Sequence, residues 1–257
     1  MARVAVLHPG EMGSALGAAL VGSGHEVVWL PAGRSPETRS RAEAAGLTEA
    51  TDLAECDVVL SVCPPGSALD VAQSAPGLSG IYVDANAISP MTAQAVASVV
   101  EERGAAYVDG GIIGAPPWEP GTTRLYLSGP RATGVQELFR GTNVDARVLH
   151  QSPWAASAIK MAYASWTKIS AALLVATDET AAALSVEQAL RDEWTLSQPQ
   201  LADRLASARQ SAQSKGWRWE AEMREIAATF GEAGQPSGFG EAAADVFGRY
   251  NHPKPSP

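Results

Sequence analysis

The segment VAVLHPGEMGSALG, Val4 to Gly17, has residue types and spacing suited to holding an anion. Val4–Leu7 is a short apolar run that reads as a buried parallel strand. His8, Pro9, Gly10, Glu11, Met12 and Gly13 follow as a tight loop, and the Ala- and Leu-rich Ser14–Val21 reads as a helix. A strand, a glycine loop and a helix start make the phosphate-binding turn of a dinucleotide fold. Gly10 would let the backbone approach a pyrophosphate, and Gly13 would let the helix pack close to the strand. The helix N-terminus offers unpaired N–H groups and a partial positive charge. The pattern G-x-G-x-x-G would place its first glycine at position 8, where this chain has His8. Pro9 further restricts His8 to extended backbone. The turn is therefore either built differently here or tolerated by His8.

A second anion site follows the next strand, His25–Leu30. An acidic residue at its end would accept from a ribose 2′-OH and select NAD. The chain instead carries Arg34, Ser35, Thr38 and Arg39. Guanidinium groups pair with phosphate through planar, charge-assisted hydrogen bonds, so this set suits a 2′-phosphate and NADP is the cofactor expected. Ser35 also reads as a helix cap ahead of Pro36. Asp57–Cys63 is an apolar strand, and Cys63, Pro64 and Pro65 end it in a rigid loop expected beside the nicotinamide ribose. Asn86 and Ser89 follow the strand Ile81–Ala85, at the sheet edge where ligands sit in open α/β folds. Ser89 doubles as a cap ahead of Pro90.

These residues need a scaffold of alternating strands and helices. The remaining candidate helices of the first half are Pro36–Ala45, Ser67–Ala75, Met91–Arg103 and Thr133–Arg140, with a short helical turn at Thr51–Cys56. The remaining strands are Ala105–Asp109, Thr123–Ser128 (antiparallel) and Ala146–His150. This predicts a doubly wound α/β Rossmann sheet over residues 1–152. Residues 153–257 carry no strand signals. Trp154–Ala183 reads as one long helix, apolar on most faces and so buried in a core or interface. Helices over Val186–Trp194, Pro199–Ser214, Trp219–Phe230 and Glu241–Tyr250 follow, the third with a Trp219, Met223, Ile226, Phe230 stripe. The tail His252–Pro257 is proline-rich and expected to fray.

Composition narrows the function. With 46% hydrophobic residues and a net charge of −9, the 257-residue chain can build a core and offers no basic surface for nucleic acid. The two cysteines, Cys56 and Cys63, suit neither a disulfide framework nor a zinc ribbon, which fits the cytoplasm. No basic run or cleavage site precedes the first strand, so no signal peptide is expected. The apolar run Ile169–Ala176 is too short to span a bilayer. Asp178 and Glu179 have no histidine at metal-binding spacing, so no metal site is expected.

Taken together, these pieces resemble the 6-phosphogluconate dehydrogenase and β-hydroxyacid dehydrogenase superfamily. Gly10-Glu11-Met12-Gly13 matches its G-x-M-G loop, and the sequences GRSPETRSRAEAAG, VDGGIIGAPP and LYLSGPRA look like a subgroup with a helical C-terminal domain of unknown function. The resemblance implies an N-terminal Rossmann domain, a long helix and an all-helical domain for substrate binding and dimerisation. It places the catalytic lysine at Lys160 in AASAIKMAYA and the start of the substrate loop at Val108-Asp109. Two departures stand out. The family's D-A-P-V-S-G-G becomes Asp109-Gly110-Gly111-Ile112-Ile113-Gly114, so Ile113 occupies the serine position. The family's K-x-x-N-N becomes Lys160-Met161-Ala162-Tyr163-Ala164, so Tyr163 replaces the orienting asparagine.

The resemblance implies hydride transfer between NADPH and a small or medium carbonyl or hydroxy compound. Lys160 supplies or removes the proton, and Tyr163 at i+3 binds substrate or is itself the donor. Asp109, Ile112, Ile113, Gly114 and Ser89 would line the substrate. Lys168, two turns on from Lys160, is a lesser candidate, and Trp118, Trp154 and Trp166 either line an apolar pocket or pack in a core or interface. The alternatives are an imine or iminium reductase and a non-catalytic NADP-binding protein. A homodimer with interlocking long helices is implied by the family.

Overall fold

The computed structural model describes residues 1–250; the tail expected to fray lies outside them. Two compact units result. The first is Met1–Lys160 and the second covers residues 161–250.

The first unit is built on one eight-stranded sheet in the order β3-β2-β1-β4-β5-β6-β7-β8. Its strands are β1 (Arg3–Val6), β2 (Glu26–Trp29), β3 (Thr48–Glu49), β4 (Val58–Ser61), β5 (Ile81–Asp84), β6 (Ala106–Gly114), β7 (Thr123–Ser128) and β8 (Val144–Leu149). All pairings are parallel except β6–β7. The helices are α1 (Glu11–Gly22), α2 (Pro36–Ala44), α3 (Ala68–Ser74), α4 (Pro90–Glu102) and α5 (Ala132–Leu138). Successive side chains on a strand point to opposite faces, and here both faces are apolar. Val4, Val6, Trp29 and Leu60 enter one core with Leu16 and Leu20 of α1. Ala5, Val28, Val59 and Tyr82 enter the other with Ala72 of α3 and Val96 and Val100 of α4. Burial on both faces is why these strands read as continuous apolar runs.

Three elements differ from the sequence expectation. The two-residue β3 carried no periodic signal. The stretch after Asp109, expected as a loop, continues β6 to Gly114 and pairs with β7 from Asp109↔Ser128 to Gly114↔Thr123. Its glycines hide it from strand propensity but are needed: a Cβ on Gly111 would lie 2.5 Å from the Ala156 carbonyl oxygen and 3.0 Å from the Lys160 Cβ. Only a glycine strand can lie this close to a helix.

The third difference lies in the helical unit. Helix α6 (Ala155–Ala183) begins in the first unit and continues into the second, followed by α7 (Glu187–Ser197), α8 (Leu201–Glu232) and α9 (Gly238–Gly248). The two helices expected over Pro199–Ser214 and Trp219–Phe230 are one 32-residue helix. Gly216 does not break it, because the position is needed for packing: its Cβ would lie 2.9 Å from the Tyr250 Cβ. Met223 and Ile226 of the expected stripe are buried, and Trp219 packs edge-on to Phe247 at 5.0 Å. Buried charges in this unit are paired. Lys168, the lesser catalytic candidate, bridges Glu222 with its ammonium 5.2 Å from the Trp219 ring centroid. Asp178 is clamped by Arg191 and Arg209, and Glu179 accepts from the Tyr250 hydroxyl at 2.8 Å. No described helix is long and apolar enough to cross a membrane.

Candidate functional site

The loop after β1 solves the missing glycine without strain. Among the described residues Ser185 is the non-glycine residue with positive φ, so His8 makes its turn in ordinary backbone. Its carbonyl accepts from Gly10 N at 2.8 Å, and a Cβ on Gly13 would overlap that same carbonyl. Gly13 is therefore required by the turn. Gly10 is not: a Cβ there would meet nothing within 4 Å, so the backbone faces open space. Gly10 is also the N-cap of α1 and gives no side-chain cap, which leaves the first N–H groups of the helix for an outside acceptor. One nitrogen of the half-buried His8, Nδ1, is enclosed and has no partner. Burial, with the Arg34 cation adding to it, lowers the imidazole pKa to about 4, so His8 is neutral at pH 7.

The start of α2 brings the second set together. Ser35 is its N-cap: its Oγ accepts from Thr38 N at 3.3 Å and lies 3.3 Å from Thr38 Oγ1. Arg34 is half-buried, and its enclosed Nε has no protein acceptor. Arg39, expected beside it, is turned elsewhere. It pairs with Glu49 of β3 and lies over the Trp29 ring at 5.8 Å, because a residue one position past Thr38 points to a different face of α2. Sequence reasoning missed Arg41. At i+3 from Thr38 it shares that residue's face: Nη2 lies 3.2 Å from Thr38 Oγ1, and Nε is 3.5 Å from the Pro9 carbonyl of the glycine loop.

An uncapped helix start, open backbone at Gly10 and an unpartnered buried guanidine nitrogen fit a phosphorylated dinucleotide. Gly10 with the amides of Glu11, Met12 and Gly13 would hold its pyrophosphate, with Arg34, Thr38 and Arg41 at the adenosine end.

Beyond β4, Pro65 is buried and opens a 3-10 turn, while Pro64 stays exposed. The Cys63 thiol is pushed up to about 12 by burial and then by Asp84, which rules it out as a nucleophile. The Asn86 amide is buried and engaged at both ends. Its Oδ1 accepts from Cys63 N at 2.6 Å and its Nδ2 donates to Ser61 Oγ at 3.1 Å, so it fixes the loop around Cys63 from within. Ser89 is likewise buried and caps α4, accepting from Thr92 N at 3.1 Å, so its hydroxyl is engaged at the helix start.

Asp109 is engaged in the same way. It is fully buried, and its Oδ2 accepts from Ser128 Oγ and Ser157 N, both at 2.9 Å, while Oδ1 accepts from Ser157 Oγ. Ser128 Oγ in turn accepts from Ala156 N at 3.0 Å. The carboxylate thus binds β6, β7 and the first turn of α6 together. Desolvation raises its pKa, and the hydrogen bonds from Ser157 and Ser128 oppose the rise. Ile112 and Ile113 are buried apolar residues, so along Ile112–Gly114 the strand presents only backbone polar groups. Lys160 follows Ser157 by one turn and lies half-buried with its Cβ against Gly111. Tyr163, in the helical unit, is exposed. Trp154 is half-buried beside Tyr107 at 5.8 Å, and Trp118 is exposed. Among the described residues no group of three or more His, Cys, Asp or Glu side chains could hold a metal ion.

Comparison with known proteins places these features in a family. The model of the NAD binding domain of 6-phosphogluconate dehydrogenase matches residues 3–133, and that of a domain of unknown function (DUF1932) matches residues 181–250. A solved conserved protein of unknown function, described as structurally similar to 3-hydroxyacid dehydrogenases, is 32% identical, with 96% of each chain covered and a TM-score of 0.70. The fold is shared with 3-hydroxyisobutyrate dehydrogenase of Mycobacterium tuberculosis, at 22% identity, TM-score 0.67 and coverage of 97% of this chain and 94% of that one. An uncharacterized 28.5 kDa protein of Methanothermus fervidus is 32% identical over 155 residues, 58% of this chain, and the match spans 59% of that relative's length. The chain belongs to the family defined by the NAD-binding domain of 6-phosphogluconate dehydrogenase.

Proposed function

We propose that the protein is an NADP-dependent oxidoreductase that transfers hydride between NADPH and a small or medium carbonyl or hydroxy compound. The observation that carries this reading is the uncapped start of α1 beside Arg34 and Arg41, an anion cradle at both phosphorylated positions of NADP. The bound dinucleotide supplies or accepts the hydride at the substrate carbon. Lys160 donates its Nζ proton to the oxygen as the carbon is reduced and takes it back in the oxidation direction. The close approach of α6 to β6 at Gly111, with the Lys160 Cβ beside it, supports this role for the lysine. Tyr163, one turn further along α6, is the second candidate donor.

The cofactor claim is tested by nicotinamide fluorescence. Arg34→Ala is expected to weaken NADPH binding at least tenfold, which is about 1.4 kcal/mol, and to change NADH binding little. Failure of the unsubstituted protein to bind either nucleotide would overturn the reading.

We also infer a homodimer. Helices α6, α7 and α8 form a groove of about 720 Å³ lined by Trp166, Leu173, Leu174, Trp194, Leu201 and Trp219. Trp166 is 72% exposed there, a large apolar surface for a lone chain to leave in water. Analytical ultracentrifugation is expected to give a dimer, and Trp166→Glu to shift it toward monomer.

A further inference from the structure

The residue that departs from the fingerprint has a role of its own. His8 is pinned from both sides. Its carbonyl accepts from Gly10 N and packs against Gly13, and Pro9 has a fixed φ. The backbone at position 8 is thus fixed before any ligand arrives. The two ring nitrogens differ: Nδ1 is enclosed without a partner, whereas Nε2 is neither enclosed nor hydrogen-bonded to a described residue. Enclosing an N–H with no acceptor is the rarer and costlier arrangement, so the proton of the neutral ring belongs on Nε2. That leaves one N–H donor facing outward at the C-terminal edge of the sheet. β1 and β2 are parallel neighbours, so the loop bearing His8 and the loop bearing Arg34 leave the same edge. Arg41 ties them together, reaching Pro9 O and Thr38 Oγ1.

We propose that His8 is a specificity residue for the cofactor, its Nε2–H donating a hydrogen bond to the adenosine 2′-phosphate that Arg34 and Arg41 also bind. The proposal rests on the NADP reading above. A glycine at position 8 would supply no side chain, so this chain gains a donor where the G-x-G-x-x-G pattern has none.

Calorimetry with 2′,5′-ADP and 5′-AMP isolates that phosphate from the rest of the cofactor. The unsubstituted protein is expected to prefer 2′,5′-ADP. His8→Leu should weaken 2′,5′-ADP at least tenfold and leave 5′-AMP within about threefold, while His8→Gln, whose amide nitrogen reaches the Nε2 position, restores most of the loss. The His8 ring nitrogen resonances of the unsubstituted protein should also shift with 2′,5′-ADP and not with 5′-AMP, a readout independent of any variant's folding. Equal 2′,5′-ADP affinity in His8→Leu, or ring resonances that ignore the 2′-phosphate, would overturn the role of His8 while NADPH binding stood. Absence of NADPH and NADH binding altogether would instead remove the reading beneath it.

Discussion

Lys160→Met is expected to lower kcat for carbonyl reduction by about 10²–10⁴-fold, the usual contribution of a positioned general acid, while NADPH affinity stays within about threefold. The expectation follows from placement. The first turn of α6 is bolted to the sheet through Ser157 and Ala156, and Gly111 brings Lys160 against β6. The proposed nucleotide cradle at β1 and α2 is built from other residues, so binding and chemistry should separate. Lys160→Arg keeps the positive charge but cannot give up its proton at accessible pH, and is expected to be nearly as slow as Lys160→Met. Steady-state kinetics with a titration of NADPH checks both. An Arg variant close to full activity would mean that Lys160 supplies only charge, and a Met variant close to full activity would remove it from the reaction.

Asp109→Ala is expected to destabilise the first unit by about 3 kcal/mol, since it leaves the buried N–H and hydroxyl of Ser157 without their acceptor, while Ser128 Oγ keeps the Pro153 carbonyl. Asp109→Asn should cost far less, because one carboxamide oxygen can still accept from Ser157 N and Ser128 Oγ. The unsubstituted protein and Asp109→Asn also differ with pH. The native pKa of Asp109 is raised by burial, so the folded protein holds this proton more tightly than the unfolded chain. Its stability contribution is fully present below the ordinary carboxylate pKa and is lost as pH rises through the native value. Asp109→Asn does not titrate, so its stability relative to the unsubstituted protein should improve as pH rises across that interval. Thermal denaturation at a series of acidic to neutral pH values reads this directly. A parallel pair of profiles would show that the carboxylate does not titrate with folding.

The sheet was legible because its strands are buried on both faces and spell themselves as apolar runs between glycine and proline turns. The caps at Ser35 and Ser89 were legible for a local reason, a hydroxyl one residue ahead of a proline. What stayed hidden depended on partners distant in the chain. Gly110–Gly114 carries little strand propensity and becomes a strand through β7. The exchange of Arg39 for Arg41 depends on the phase of α2 relative to β3, whose Glu49 captures the nearer arginine. In the sequence Asn86 and Asp109 read as polar residues at strand ends, the usual address of a ligand contact, and nothing local tells that they bond to Cys63 N and Ser157 instead of standing free. Gly216 carries a helix-breaking signal that packing against Tyr250 overrides.

The proposed reaction is hydride transfer from NADPH to a carbonyl carbon, and an isotope follows that atom. The protein is incubated with NADPH deuterated at the transferable position and a panel of aldehydes, ketones and imines, and the products are weighed by mass spectrometry. The account predicts a carbonyl substrate converted to an alcohol carrying one deuterium on carbon, with Lys160→Met markedly slower. Deuterium found only in amines from the imines, or in no product although NADPH is bound, would contradict it.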